Sequence, residues 1–173
     1  MFTPLVRPAV AGDARQISAV HAGAVKAAFE QARLEAPEQP ADDKLEAFWR
    51  EAIRYSEPQV HVALDGNELI GFVGFDRSRD AKSKPITGEL WNLYVLPSYW
   101  GRGVGLALWD AAREGLLEEG CTEVTLWVPL GHERAMRFIE LAGFKRELST
   151  ARTAVISGVK LEEIRLKRSL GQL

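Results

Sequence analysis

The chain has 173 residues, enough for one domain with a substantial core, and its 46% hydrophobic and 27% charged content is ordinary for a folded globular protein. A formal net charge of −2, from 22 basic and 24 acidic residues, supplies no global field for nucleic acid or an anionic membrane. A single cysteine, Cys121, excludes an internal disulfide, and no run is long and apolar enough to span a bilayer, so a cytoplasmic protein without nucleic-acid or membrane partners is expected.

In chain order, "FTPLVRPA" (2–9) reads as a first strand whose prolines suit a sheet edge. "GDARQISAVHAGAVKAAFEQAR" reads as a helix, with Asp13 as its cap, Gln16 completing a capping box, and Ile17, Val20, Ala24, Ala27 and Ala28 at helical spacing. An acidic loop with Glu35, Glu38, Asp42 and Asp43 leads to a second helix, "KLEAFWREAIRY", with Leu45, Phe48, Trp49 and Ile53 as its apolar stripe. In "QVHVALDGNELIGFVGF" (59–75), two strand-like runs flank Asp65-Gly66, a hairpin turn pair.

A polar loop (76–88) precedes the strand "ELWNLYVL" (89–96), a glycine-rich turn and a helix from Val104 to Glu119. "CTEVTLWVP" (121–129) is the next strand, "HERAMRFIELAG" (132–143) a short helix stopped by Gly143, "FKREL" (144–148) a strand, and "VKLEEIRLKR" (159–168) the last strand after a glycine-containing loop. The order is βααβββαβαββ. The strand–helix–strand crossover over 89–129 predicts a parallel pair, flanked by antiparallel hairpins. A single α/β domain over 1–173 follows, with a mixed, twisted sheet of about seven strands and helices on both faces.

The stretch "GELWNLYVLPSYWGRGVGLALWDAARE" (88–114) places three glycines, Gly101, Gly103 and Gly105, between an apolar strand and an amphipathic helix. The dinucleotide pattern G-x-G-x-x-G/A fails in both registers, because Leu106 or Leu108 occupies the sixth place. The P-loop pattern fails at Leu106-Ala107. Two readings remain. The unpaired N–H groups of the helix start would seat a phosphate, with Arg102 adding charge, or the glycines would simply permit close packing.

"LYVLPSYWGRGVGLAL" resembles motif A of the GCN5-related N-acetyltransferases (GNAT), in which a V-x-P strand leads to a Q/R-x-x-G-x-G/A loop. "HERAMRFIELAGF" resembles that family's N-x-x-A-x-x-F-Y-x-x-x-G-F segment, and the element order is the family's as well. The resemblance covers 59–145 and is weak in the first helices. It implies that the amides of Gly101, Arg102, Gly103, Val104, Gly105 and Leu106 hold the pyrophosphate of acetyl-CoA. It also implies that the backbone of Leu93, Tyr94 and Val95 holds the acetyl oxygen and pantetheine arm, in a gap opened by a bulge. Two departures stand out. Trp100 occupies the Gln/Arg position, where backbone matters more than side chain. In the short helix His132 replaces Asn, as a cofactor contact or a plain surface residue, and Ile139 replaces a Tyr that protonates the leaving thiolate in many members.

Acetyl transfer to an amine needs a base for a group of pKa near ~10 and a donor to the developing oxyanion. Attack within a ternary complex needs no nucleophilic residue and no metal, and the three histidines and one cysteine have no ligand spacing. Glu89, at the head of the acetyl-contacting strand, is the first candidate base; the other reading is a solvated strand-end charge. Tyr94 is the second candidate for proton handling, unless strand alternation turns it into the core. The expected function is N-acetyl transfer from acetyl-CoA to a primary amine of a small molecule or a protein N-terminus. The rival is a non-catalytic acyl-CoA-binding or regulatory protein of the same fold. No motif names the acceptor or fixes the length of the acyl group. Dimerisation is common in the family, so a homodimer through the C-terminal strands stays open.

Overall fold

The computed structural model describes residues 2–38, 42–156 and 159–171, without the side chains of Asp42 and Ile156. Its elements run β1 (Leu5–Pro8), α1 (Ala14–Gln31), α2 (Asp42–Tyr55), β2 (Gln59–Asp65), β3 (Glu68–Arg77), β4 (Thr87–Val95), α3 (Val104–Glu118), β5 (Glu123–Pro129), α4 (Glu133–Leu141), β6 (Lys145–Ile156) and β7 (Val159–Ser169). The seven strands form one sheet in the order β1-β2-β3-β4-β5-β7-β6. As expected, β1 lies at an edge, β4 and β5 are parallel, and the other neighbours are antiparallel.

Strand alternation divides the core in two. Val73, Phe75 and Leu90 from the centre of the sheet, with Val124, Leu126 and Val128 of β5, pack beneath Leu108, Ala112 and Leu116 of α3 and Met136 and Ile139 of α4. Val60, Val62, Leu64 and Phe72 point the other way, under Ile17 and Val20 of α1 and Trp49 of α2. Helices therefore cover both faces. A Cβ on Gly115 would sit 2.5 Å from the Phe75 ring, so α3 lies as close to β3 as a bare backbone permits.

Four expectations need correction. Asp13 does not cap α1. Its carboxylate accepts from Arg7 at 2.7 and 3.1 Å and from the Val10 N–H at 2.8 Å, a charge-assisted alternative that outcompetes a helix-start amide. Gln16 is likewise diverted, its side-chain oxygen accepting the Leu69 N–H at 3.1 Å. Phe48 is exposed, because Trp49, Ala52 and partly buried Leu45 and Ile53 define the inward face of α2. The strand expected at 144–148 extends to Ile156, since pairing with β7 resumes at Arg152 after an irregularity. Part of the acidic loop (39–41 and the Asp42 side chain) and the glycine expected in the last connection, Gly158, lie outside the described residues.

Candidate active site

The centre of the sheet is split. β4 pairs with β5 only at Thr87↔Glu123, Gly88↔Val124 and Glu89↔Thr125, after which the two strands diverge. A bulge accompanies the divergence: against β3, Asn92 pairs with Gly74 and Leu90 with Phe75, leaving Trp91 as the extra residue. The β5-facing backbone of β4 from Leu90 to Val95 is therefore free of strand partners on that side, an edge in mid-sheet ready for an extended ligand. Leu93 and Val95 turn their side chains to the α3 face, and Tyr94 turns to the α1/α2 face.

At the end of this edge a short 3-10 turn (Pro97–Tyr99) leads into the glycine loop. Gly101 and Gly103 have φ of 73° and 83°, left-handed values that glycine adopts without penalty. The first bond of α3 runs from the Ala107 N–H to the Gly103 carbonyl, and the amides from Gly101 to Leu106 donate to no backbone acceptor among the described residues. Six consecutive unpaired donors at a helix N-terminus form a concavity for an anion. Gly105 serves packing too, since a Cβ there would meet the Phe138 ring at 3.1 Å. The close-packing reading thus holds at Gly105, while Gly101 and Gly103 supply left-handed backbone.

The side chains around the loop take specific places. The Trp100 indole donates to the Val95 carbonyl at 2.9 Å, tying loop to strand. Trp100 thus contributes a side chain as well as backbone. The Arg102 guanidinium lies over the rings of Phe2 and Tyr99 at 4.4 and 4.8 Å. Arg134, in the first turn of α4, lies over Trp100 at 4.5 Å, with its Nη2 3.9 Å from where a Gly101 Cβ would be. His132 precedes α4 and, among the described residues, leaves its Nδ1 buried without a hydrogen-bond partner; burial, then Arg134, depresses its pKa. Ile139 is core.

On the opposite face of the split lies a cleft of about 390 Å³ lined by Arg79, Asp80, Ala81, Glu89, Trp127 and Arg152. Glu89 is 1% exposed, which removes the solvated-charge reading. Its carboxylate accepts the Arg79 backbone N–H at 2.8 Å and the Arg79 Nη2 at 2.6 Å, and the Arg79 guanidinium stacks on Trp91 at 4.1 Å. Tyr94 packs edge-on to Phe72 at 5.6 Å and stacks on His21 at 5.2 Å. Burial pushes the Tyr94 hydroxyl pKa up, against the Asn92 hydrogen bond and the Arg79 charge. His21 Nδ1 accepts the Trp49 indole N–H at 3.1 Å, and burial lowers its pKa to about 4. An indole only donates, so neutral His21 carries its proton on Nε2.

Arg79, Asp80, Trp127, Arg134, Arg152 and the His21–Trp49 pair escape detection from sequence. Arg134 lay inside the motif-like "HERAMRF" segment, two residues after His132, and Arg79 and Asp80 lay in the polar loop before β4. Arg152 gave no signal, because it sits on the part of β6 that reads as loop. Among the described residues, no group of three or more His, Cys, Asp and Glu side chains is placed to hold a metal ion, and no helix is long and apolar enough to cross a membrane.

A parallel pair that splays beside a helix start with unpaired amides defines an α/β domain whose split sheet could hold an extended, anionic ligand. The family model described as "Acetyltransferase (GNAT) family" matches residues 25–144. The chain belongs to this family. It is 34% identical over 88 residues to an uncharacterized N-acetyltransferase of Archaeoglobus fulgidus, covering 50% of this chain and 60% of that one. It is 36% identical over 110 residues to a mycothiol acetyltransferase of Propionibacterium freudenreichii, covering 62% of this chain and 35% of that one. The matched part is thus well short of these relatives' full length. A phosphinothricin acetyltransferase from Sinorhizobium meliloti, solved in complex with acetyl-CoA, shares the fold with a TM-score of 0.76 at 21% identity over 98% of this chain and 90% of that one.

Proposed function

We propose that the protein transfers an acetyl group from acetyl-CoA to a primary amine of a small molecule or a protein N-terminus, by direct attack in a ternary complex. The observation that carries this reading is the continuity of three features: the unpaired amides from Gly101 to Leu106, the open edge of β4, and the Glu89 cleft behind it. Acetyl-CoA would supply the activated thioester. The chain's own groups fit it at each point. The loop amides receive the pyrophosphate, with Arg134 near Gly101 adding charge. The free backbone from Leu93 to Val95 binds the pantetheine arm as an added strand and offers an N–H to the developing oxyanion.

Glu89 receives the amine proton, directly or through one water. Its Oε1 accepts both the Arg79 backbone N–H and Nε–H, while Oε2 accepts only Nη2 among the described residues and keeps a lone pair for that proton. Tyr94, the second candidate for proton handling, packs against Phe72 and His21 on the α1/α2 face and holds its hydroxyl proton more tightly than usual, so Glu89 carries the proton transfer in this reading. A non-catalytic acyl-CoA binder draws support from Ile139, which puts an apolar side chain where many relatives have a tyrosine. A thiol-release assay across a panel of primary amines separates the two. Acceptor-dependent release of free CoA is expected; tight binding with no release for any amine marks a binder.

A further inference from the structure

We infer that the acceptor is a zwitterion, a small amine that also carries an anionic oxygen group, with Arg152 and Arg79 receiving the anion while the amine faces the strand split. This rests on the acetyl-transfer reading and chooses between its two acceptor classes. A free amino acid has such an anion next to its amine; the N-terminus of a protein has a neutral peptide carbonyl there.

The cleft has more spare donors than spare acceptors. Every carboxylate oxygen lining it already receives a hydrogen bond. Glu89 takes Arg79 on both oxygens, Asp80 Oδ1 accepts the Trp127 indole N–H at 3.0 Å, and Asp80 Oδ2 accepts Arg165 Nη1 at 3.1 Å. The arginines are only partly used. Arg152 donates from Nε to Glu163 at 2.9 Å, and among the described residues its two terminal nitrogens have no partner. Arg79 likewise keeps Nη1 unassigned. Both guanidiniums are half-exposed, and each lies flat on an indole, Arg152 on Trp127 at 3.5 Å and Arg79 on Trp91 at 4.1 Å. Stacking fixes the plane of a guanidinium and leaves its edge for a planar oxyanion such as a carboxylate. At about 390 Å³ the cleft falls at the small end of ligand sites, which run ~300–1,000 Å³.

The test uses the whole protein and matched acceptors: a set of free amino acids, the same amino acids as C-terminal amides, and short peptides. Acetyl-CoA binding is measured alongside thiol release. The free acids are expected to have the higher kcat/KM, and Arg152→Gln is expected to lower the acid-to-amide ratio ~10–100-fold, as for loss of a charged hydrogen-bond pair. Arg152→Lys, which keeps charge but not the fork, should recover part of that ratio. Equal or better turnover of amides and peptides overturns the inference and leaves acetyl transfer standing. A preference for acids that Arg152→Gln leaves unmoved, or binding of acetyl-CoA with no transfer to either set, also overturns it. Failure of the folded protein to bind acetyl-CoA sinks the acetyl-transfer reading itself.

Discussion

Glu89 is a carboxylate buried to 1% exposure with a single arginine holding it, and such a charge is tolerated only where its oxygens are hydrogen-bonded. Its position at the last paired residue of β4 puts it where an amine would approach the split. Glu89→Gln keeps an oxygen for Arg79 but cannot take up a proton. It is expected to lower kcat at neutral pH by ~100-fold or more, with little change in acetyl-CoA affinity. Steady-state kinetics with parallel calorimetry check this, and an unchanged kcat across pH removes Glu89 from the mechanism. His21 carries a separate, pH-dependent prediction. Its pKa is depressed to about 4 from 6.5, so the unfolded chain binds the proton more readily than the fold does. The resulting stability is present in full above pH ~6.5 and is lost as pH falls toward ~4, about 3 kcal/mol over that window. His21→Asn retains an acceptor for the Trp49 indole and removes the titration. The urea denaturation midpoint of the wild type should fall relative to that of the variant as pH falls from 7 to 4; parallel curves would show that His21 does not titrate this way.

Among the elements, α3 is the one whose placement the candidate site depends on, because its first turn carries the unpaired amides proposed to seat the pyrophosphate and its length rides on β3. Gly115 sets that distance. Gly115→Ala would drive a methyl group into Phe75 and is expected to destabilise the fold by about 1–3 kcal/mol despite alanine's better helix propensity. A lower denaturant midpoint checks it, and a gain in stability would show that the helix–sheet distance can relax. The identity and order of the elements were legible in the chain. The Asp65-Gly66 hairpin signal marked β2 and β3, with the turn itself falling one residue later at Gly66-Asn67, and the crossover forced β4 and β5 to be parallel. What escaped depended on partners distant in sequence. Asp13 reads as a cap until Arg7 folds back onto it, and β6 reads as five residues until β7 pairs with the rest.

For the whole molecule, the split sheet joins two parts of the candidate site that belong to different parts of the chain. The unpaired loop amides and the β4 edge come from one contiguous segment, 88–114, whose glycine spacing is visible in the sequence. The Glu89 cleft draws on the 76–88 loop, β4, β5 and β6, and no window of sequence contains it. That difference explains why the loop glycines were named in advance while Arg79, Trp127 and Arg152 were not. The central claim is that the helix-start amides seat the pyrophosphate of acetyl-CoA, and calorimetric titration of the wild-type protein and two Gly103 variants tests it most directly. Asn and Asp both tolerate left-handed backbone, so Gly103→Asn and Gly103→Asp carry similar strain and differ mainly in charge. The account predicts micromolar binding of acetyl-CoA and of free CoA by the wild type, weakened binding by Gly103→Asn, and none by Gly103→Asp with its fold intact. Equal affinity in all three, or no binding by the folded wild type, would contradict it.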